Sequence, residues 1–238
     1  VITHIPRRNR EEAMDRPDLD PVLLDDDLRN LELLNRFFGG REVVRRRVGA
    51  LLRRLAPEAP LSILDIGSGA GDLCATLLEA CRGAGHPVRL LSLDRHPQIQ
   101  DYARARLVPS APQVRFLRAD ACRIPLRDGA VDLAICTLAL HHFTEAGAVA
   151  VLSEMRRVAR RWAVLSDLCR SPQAYAGVWL ATRLTRNPMT RFDGPVSVQR
   201  AFTAEELQGL AAQAGWNEPR FYREPWFRMS LVLSREPR

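Results

Sequence analysis

The chain has 238 residues, 46% of them hydrophobic and 26% charged, and its 35 basic residues, all arginine, outnumber 28 acidic ones for a net charge of +7. This length suits one α/β domain, and the composition excludes collagen-like, coiled-coil and largely disordered chains. The basic excess raises nucleic acids and anionic membranes as partners without deciding for either.

Residues 1–20 are polar, carry both charge signs and lack periodicity, so they predict a frayed arm, of the kind that sometimes orders over a ligand. Residues 1–40 hold 6 Arg and 9 acids, a net of −3, while the remainder carries +10. A helical cap is predicted over 21–56. Its first helix runs from about Leu23 to Phe38, with Leu24, Leu28, Leu31, Leu34 and Phe38 on one face, and Gly39 and Gly40 stop it. Its second turns Val44, Val48, Leu51 and Leu55 inward. Arm and first helix together would form a lid that excludes water from a site beneath.

From residue 57 to 238 the pattern is that of a core domain. Apolar runs at 61–66, 88–93, 114–118, 131–137 and 162–166 predict buried strands, separated by helices at 72–82, 97–106 and 145–160. Such alternation predicts a parallel sheet with helices on both faces. A long insert at 169–202 precedes a last helix whose start is marked by a Thr203-x-x-Glu206 capping box and a Phe202–Leu207 staple, and whose end is marked by Gly215. Two strands, 217–223 and 227–234, close the chain as an antiparallel pair. The five cysteines (Cys74, Cys81, Cys122, Cys136 and Cys169) are widely spaced and form no C-x-x-C pair, against a disulfide scaffold or a zinc cluster. Without an apolar leader or any apolar run near ~18 residues, a cytoplasmic protein with no membrane span is expected.

The chemistry concentrates where β-like runs end. Ile63-Leu64-Asp65-Ile66-Gly67-Ser68-Gly69-Ala70-Gly71-Asp72 is a strand, three alternate glycines and a helix start, a turn that brings backbone close to a negative ligand group. Asp72 stands where the dinucleotide fingerprint requires Gly or Ala. Asp94, ending the next strand, can accept both hydroxyls of a ribose or cap the helix beyond it, and Asp120 ends the strand after that. Three acids at successive strand ends line the edge where such sheets bind ligands.

These residues resemble the class I S-adenosylmethionine-dependent methyltransferases. Asp65 to Gly71 is similar to their first motif, Asp94 to their ribose-binding acid, and Asp120-Ala121 to the pair beside the adenine. Val131 to Phe143, with Thr137, Leu138 and the pair His141-His142, resembles the strand-four motif of the ubiquinone/menaquinone-biosynthesis-like branch. The resemblance implies a Rossmann-like α/β fold: a seven-stranded, mostly parallel sheet with an antiparallel last strand, helices on both faces and an N-terminal helical cap. It also implies S-adenosylmethionine as donor and S-adenosylhomocysteine as product. The donor would be held by Asp65, Gly67, Ser68, Gly69, Gly71, Asp94, Arg95, Asp120, Ala121, Thr137 and Leu138. Ser166 to Pro172, Asp193 to Phe202 and the leading stretches Glu12–Asp15 and Asn35–Gly40 are similar to small-molecule methyltransferases found beside bacterial polyketide synthases that make phenolic lipids and related aromatics. The implied acceptor is a small aromatic molecule, O-methylated as a phenol or hydroxyquinone, or C-methylated on its ring.

A phenol with a pKa of ~10 needs help to lose its proton at neutral pH. His141 or His142 would act as general base, or else pack at a helix entry. Tyr175, Trp179, Trp226 and Phe227 would wall an aromatic pocket or fill the core. Asp193 and Arg200 would bind the acceptor or, the stronger expectation, fasten the insert by an ion pair. His4, His86 and His96 lack metal-ligand spacing, so no metal is expected. A nucleic-acid methyltransferase is disfavoured because Thr137-Leu138-Ala139-Leu140 replaces the Asp/Asn-Pro-Pro-aromatic motif of amino-directed enzymes and no RNA-binding module is evident. A cofactor-binding protein without turnover is a third reading, which the intact glycine loop and acids oppose. Arginines cluster beside apolar stripes, at 45–47, 53–54, 156–157 and 160–161, as on a solvated helix surface, so no nucleic acid is expected; a monomer or homodimer is expected.

Overall fold

In the computed structural model, which describes residues 5–56 and 58–235, a single 3-10 turn at Ala13–Asp15 precedes helices α1 (Pro21–Phe37) and α2 (Gly40–Leu52). His4 and the expected domain boundary at residue 57 lie outside the described residues. Strands and helices then alternate as β1 (Leu61–Ile66), α3 (Asp72–Gly83), β2 (Val88–Asp94), α4 (Pro97–Leu107), β3 (Val114–Arg118), β4 (Val131–Thr137), α5 (Glu145–Val158) and β5 (Ala159–Leu168). The insert folds as two helices, α6 (Pro172–Thr182) and α7 (Pro188–Arg200), before α8 (Ala204–Gln213), β6 (Arg220–Glu224) and β7 (Arg228–Ser234).

The seven strands form one sheet in the order β3-β2-β1-β4-β5-β7-β6, and β7 alone runs against its neighbours. This is the expected class I architecture. Two-sided burial accounts for the largely apolar make-up of β1 and β4, since a parallel sheet covered by helices leaves no strand face to water. On one face α5 and α8 press Val151, Leu152, Met155 and Leu207 against Ala134, Cys136 and Leu165. On the other, α2 and α3 press Val44, Val48, Cys74, Leu77 and Cys81 against Ile63, Leu133 and Ile135. So α2 belongs to a helical layer of the core, and only α1 lies over the sheet's end.

Local signals set the boundaries. Asp20 caps α1 by accepting from Val22 and Leu23, with Pro21 in the first turn. The capping box of α8 closes in both directions, Thr203 Oγ1 accepting from the Glu206 amide at 3.2 Å and Glu206 Oε2 from the Thr203 amide at 2.8 Å. Phe202 and Leu207 are buried as its staple. The helix expected over 145–160 ends at Val158, because Ala159 already pairs with Val131 of β4. Arg160 and Arg161 therefore lie on a strand, and ladder pairing overrides the helical reading there.

Gly71, the third loop glycine, is required by packing rather than by a ligand. Its φ is +75°, and a Cβ added there would lie 2.4 Å from Leu107 Cδ1 of α4. Gly71→Ala is expected to lose more than the ~1–2 kcal/mol of a left-handed backbone alone. In a Leu107→Ala background the loss should fall to that backbone cost, as read by a denaturant double-mutant cycle.

Candidate active site

The glycine loop, the ends of β2, β4 and β5, helix α1, helix α6 and the arm enclose a cavity of about 750 Å³ at the carboxyl end of the sheet. Gly67 makes the sharp turn out of β1, with φ +65° and no room for a side chain, since a Cβ would meet Ala139 Cβ at 2.4 Å. The Gly69 amide donates to Asp94 Oδ2 at 3.0 Å and the His96 amide to Oδ1 at 2.9 Å, so Asp94 ties the loop to β2 and also supports the start of α4. Ser68 and Ser92 share a hydroxyl hydrogen bond of 2.6 Å behind the loop. Burial pushes the Asp65 carboxyl up to about 7, against a hydrogen bond from Cys74. Leu138 follows β4 with φ +53°, a backbone conformation costly for a branched side chain and held by its amide bond to Ser166 O.

Of the residues expected to hold a donor, Asp65, Gly67, Ser68, Gly69, Asp94, Arg95, Ala121, Thr137 and Leu138 border this cavity. Gly71 and Asp120 do not. Gly71 faces α4, and the exposed Asp120 turns its carboxylate back to accept from the Cys122 amide at 2.8 Å. Tyr175 and Trp179 are likewise displaced. They line a separate surface cleft with Arg8, Arg10, Arg183 and Arg191, because Phe227 packs onto Gly177 and turns Val178 and Ala181 of α6 inward instead. Trp226 and Phe227 do reach the cavity, from the tight β6–β7 hairpin where both have left-handed backbones. The expected face of α1 also covers it, through Leu28, Leu31, Leu34 and Phe38.

Beyond β4 the two histidines stack with ring centroids 4.4 Å apart. His141 Nδ1 donates to Asp167 Oδ1 at 2.7 Å, and its amide donates to Oδ2 at 3.0 Å. Burial would raise Asp167, yet the charge and hydrogen bonds of His141 hold its carboxyl below the usual range. His142 Nδ1 donates to Asp15 Oδ1 at 2.9 Å. Burial works against a charged His142, but the Glu12 and Asp15 carboxylates win and raise it to about 9. For Asp15, burial is likewise outweighed, here by His142 with Arg200 and Arg95, and its pKa falls to about 2. Both Nε2 atoms are thereby turned toward Glu12, at 3.6 Å for His141 and 3.8 Å for His142.

Glu12 and Asp15 come from the segment expected to fray. The described part of the arm is instead fastened. Asp193 accepts from the amides of Ala13 and Met14 at 2.7 and 3.0 Å, and the Arg8 amide donates to Gln199 O. Arg200 donates to Asp15 Oδ2 and to the carbonyls of Arg10, His141 and His142. The expectation that Asp193 and Arg200 fasten the insert to the body by an ion pair is corrected in its partners: Asp193 takes the amides of the arm, and Arg200 pairs with Asp15 of the arm, which His142 also holds. Sequence reasoning passed over Glu12, Asp15 and Asp167. Asp167 ends β5, so the rule that singled out Asp94 would have found it; Glu12 and Asp15 lay inside a stretch quoted only for its resemblance.

Residues 63–161 match the family described as the methyltransferase domain. That stretch, about two fifths of the chain, is thus similar to a methyltransferase domain. Over 116 residues the chain is 34% identical to the demethylmenaquinone methyltransferase of Thermus thermophilus, covering 48% of this chain and 50% of that protein. The chain spans about half, or less, of the length of the curated relatives it matches. A SAM-dependent methyltransferase from Aquifex aeolicus shares the fold at a TM-score of 0.61 and 18% identity, over 91% of this chain and 99% of that one. The CurJ carbon methyltransferase does so at 0.67 and 16%, over 91% and 61%. The matched residues run from within β1 to the start of β5, while the arm, α1 and the insert that complete the cavity lie outside them.

Two outcomes follow from the site's electrostatics. A carboxyl whose folded pKa is raised stabilises below its unfolded value and loses that stability as pH climbs through the folded value. Asp65→Asn should therefore be more stable than the parent by a margin that widens by roughly 2–3 kcal/mol between pH 5 and 8, measured by denaturant unfolding at each pH. Arg200→Met leaves Asp15 without its arginine, at an expected cost of about 3–5 kcal/mol. Limited proteolysis should then cut within residues 5–20 faster than in the parent.

Proposed function

We propose that the protein is an S-adenosylmethionine-dependent methyltransferase that acts on oxygen of a small aromatic acceptor, a phenol or hydroxyquinone of polyketide type. The observation that carries this reading is the continuity of the cavity. It begins at the glycine loop, passes the histidine pair and continues between apolar walls made by Leu31, Leu34, Phe38, Val178, Trp226 and Phe227. When bound, S-adenosylmethionine supplies an electrophilic methyl group on a sulfonium. The residues suit such a donor: Asp94 offers a carboxylate for ribose hydroxyls, and a Cβ added at Gly69 would meet nothing within 4 Å, so the loop borders open space.

The chain's own contribution is mainly to orient a flat acceptor with its hydroxyl in line with the methyl group, which can provide most of the acceleration. Apolar side chains favour an aromatic body and exclude water, while Glu12, His141 and His142 bring proton-exchanging groups together, with Glu32, Asn35, Asp72, Thr182 and Ser197 also bordering the cavity. We assign loss of the hydroxyl proton to that cluster. Asp167 keeps His141 in one orientation, Asp15 does so for His142, and the arm closes the site over both. Transfer to a ring carbon is the second reading, favoured by the similarity to a demethylmenaquinone methyltransferase.

Labelled donor and a panel of phenols and hydroxyquinones test this, with mass spectrometry distinguishing O- from C-methyl products. His141→Gln should lower transfer by about 10²–10⁴-fold while donor binding is kept. Label in RNA, or in no acceptor of the panel, would overturn the assignment.

A further inference from the structure

Glu12, His141 and His142 bring a carboxylate and two imidazoles together at the inner end of the cavity, with one donor atom from each within 4.8 Å of the others. Glu12 is 1% exposed, and its Oε1 has no hydrogen-bond partner. A buried carboxylate oxygen without a partner is costly, and so it asks for a ligand. Arg200 Nε approaches it only to 3.9 Å, beyond hydrogen-bond distance, and is already committed to the His141 carbonyl.

The histidines are prepared in the same sense. Each Nδ1 is occupied by a carboxylate, Asp167 for His141 and Asp15 for His142, which leaves each Nε2 directed at Glu12. Carboxylates behind the imidazoles are the supports that metal-binding histidines carry, because they fix the ring and raise its basicity. The donor set of two imidazoles and one carboxylate decides between ions. Four-coordinate zinc with bonds of ~2.0–2.1 Å places its ligand atoms ~3.3–3.4 Å apart. His141 Nε2 stands 3.6 Å from Glu12 Oε1 and His142 Nε2 3.8 Å from Oε2, and with one ligand atom of each residue within 4.8 Å of the others the set must draw in by at most about 1.5 Å to reach that spacing. Octahedral magnesium, at ~2.1 Å, asks for oxygen ligands and edges near ~3.0 Å, which two imidazoles do not supply.

We propose that Glu12, His141 and His142 bind one divalent transition-metal cation of the zinc class, which takes the acceptor's hydroxyl oxygen as its remaining ligand. The cation then acts as a Lewis acid: the acceptor O–H bond breaks, the proton leaves to water, and the electron pair stays on oxygen as a metal-bound phenolate. The cation site stands on the geometry alone, whereas its catalytic part rests on the proposed methyl transfer to oxygen. Spacing in sequence gave no hint of it, since Glu12 lies on the arm and the histidines follow β4.

The full chain, stripped with a chelator, is titrated with cobalt(II) alone and then with zinc. One cobalt per chain is expected, with the visible absorption of a four-coordinate ion that zinc abolishes and magnesium does not. Asp15→Asn, which touches no metal atom, should weaken cobalt by about 10–100-fold. Glu12→Gln and His142→Gln should weaken it further, while donor binding by the same variants shows that the fold is kept. No cobalt spectrum, or equal affinity in the parent and in Glu12→Gln, overturns the site. Because these readings use neither donor nor acceptor, they separate the two proposals: cobalt bound without label on any phenol supports the site and removes O-methylation, and chelator-insensitive transfer in a chain that binds no cobalt does the reverse.

Discussion

The buried guanidinium of Arg200 is the contact on which the site depends. It reaches the arm through Arg10 O and Asp15, and the histidine turn through His141 O and His142 O, from a position at the end of α7. Arginine suits this role because its planar fork presents several fixed donors at once, which a lysine's single ammonium cannot. Taken out of water, such a cation is tolerated only where carboxylates and carbonyls surround it. Three segments distant in sequence are thereby locked into one geometry, and the orientation of both imidazoles follows from that lock.

The division of labour in the fold is clear from burial. The sheet and its two helical layers supply rigidity and a row of strand ends, as open α/β sheets do. The parts that give the cavity its individual shape (the arm, α1, α6 and the β6–β7 hairpin) are packed around that row. Their inward surfaces are mostly apolar, with Glu32, Asn35 and Thr182 among them, and the Phe38 and Trp226 rings meet edge to face at 5.3 Å between centroids. The row of strand ends and the walls beyond it are thus built from different layers of the structure.

Much of the sheet was legible because its signals are local. Apolar runs, the glycine turn at Gly67 and the capping box at Thr203 each act within a few residues, and the structure reproduces them. The acids at strand ends were legible as a row, but only Asp94 accepts from the glycine loop, with one oxygen, while its other oxygen holds the start of α4; Asp120 is drawn off by the nearest amide, a choice that sequence spacing cannot express. The arm was misjudged for a related reason. Its own pattern contains nothing to fold against, and its order comes from Asp193 and Arg200, which lie about 180 residues away. Tyr175 and Trp179 share a helical face, as their spacing says, yet which face turns inward was set by Phe227 meeting Gly177.

The fastening of the arm also fixes an order of events during synthesis. Residues 5–20 leave the ribosome long before the 193–200 stretch that secures them, so the glycine loop and its neighbouring strands can be in place while the arm still has nowhere to dock. Closing so long a loop is slow to begin but adds only modest entropy with each further residue. The histidine cluster is therefore completed late, together with the β6–β7 pair whose residues leave the ribosome after α7.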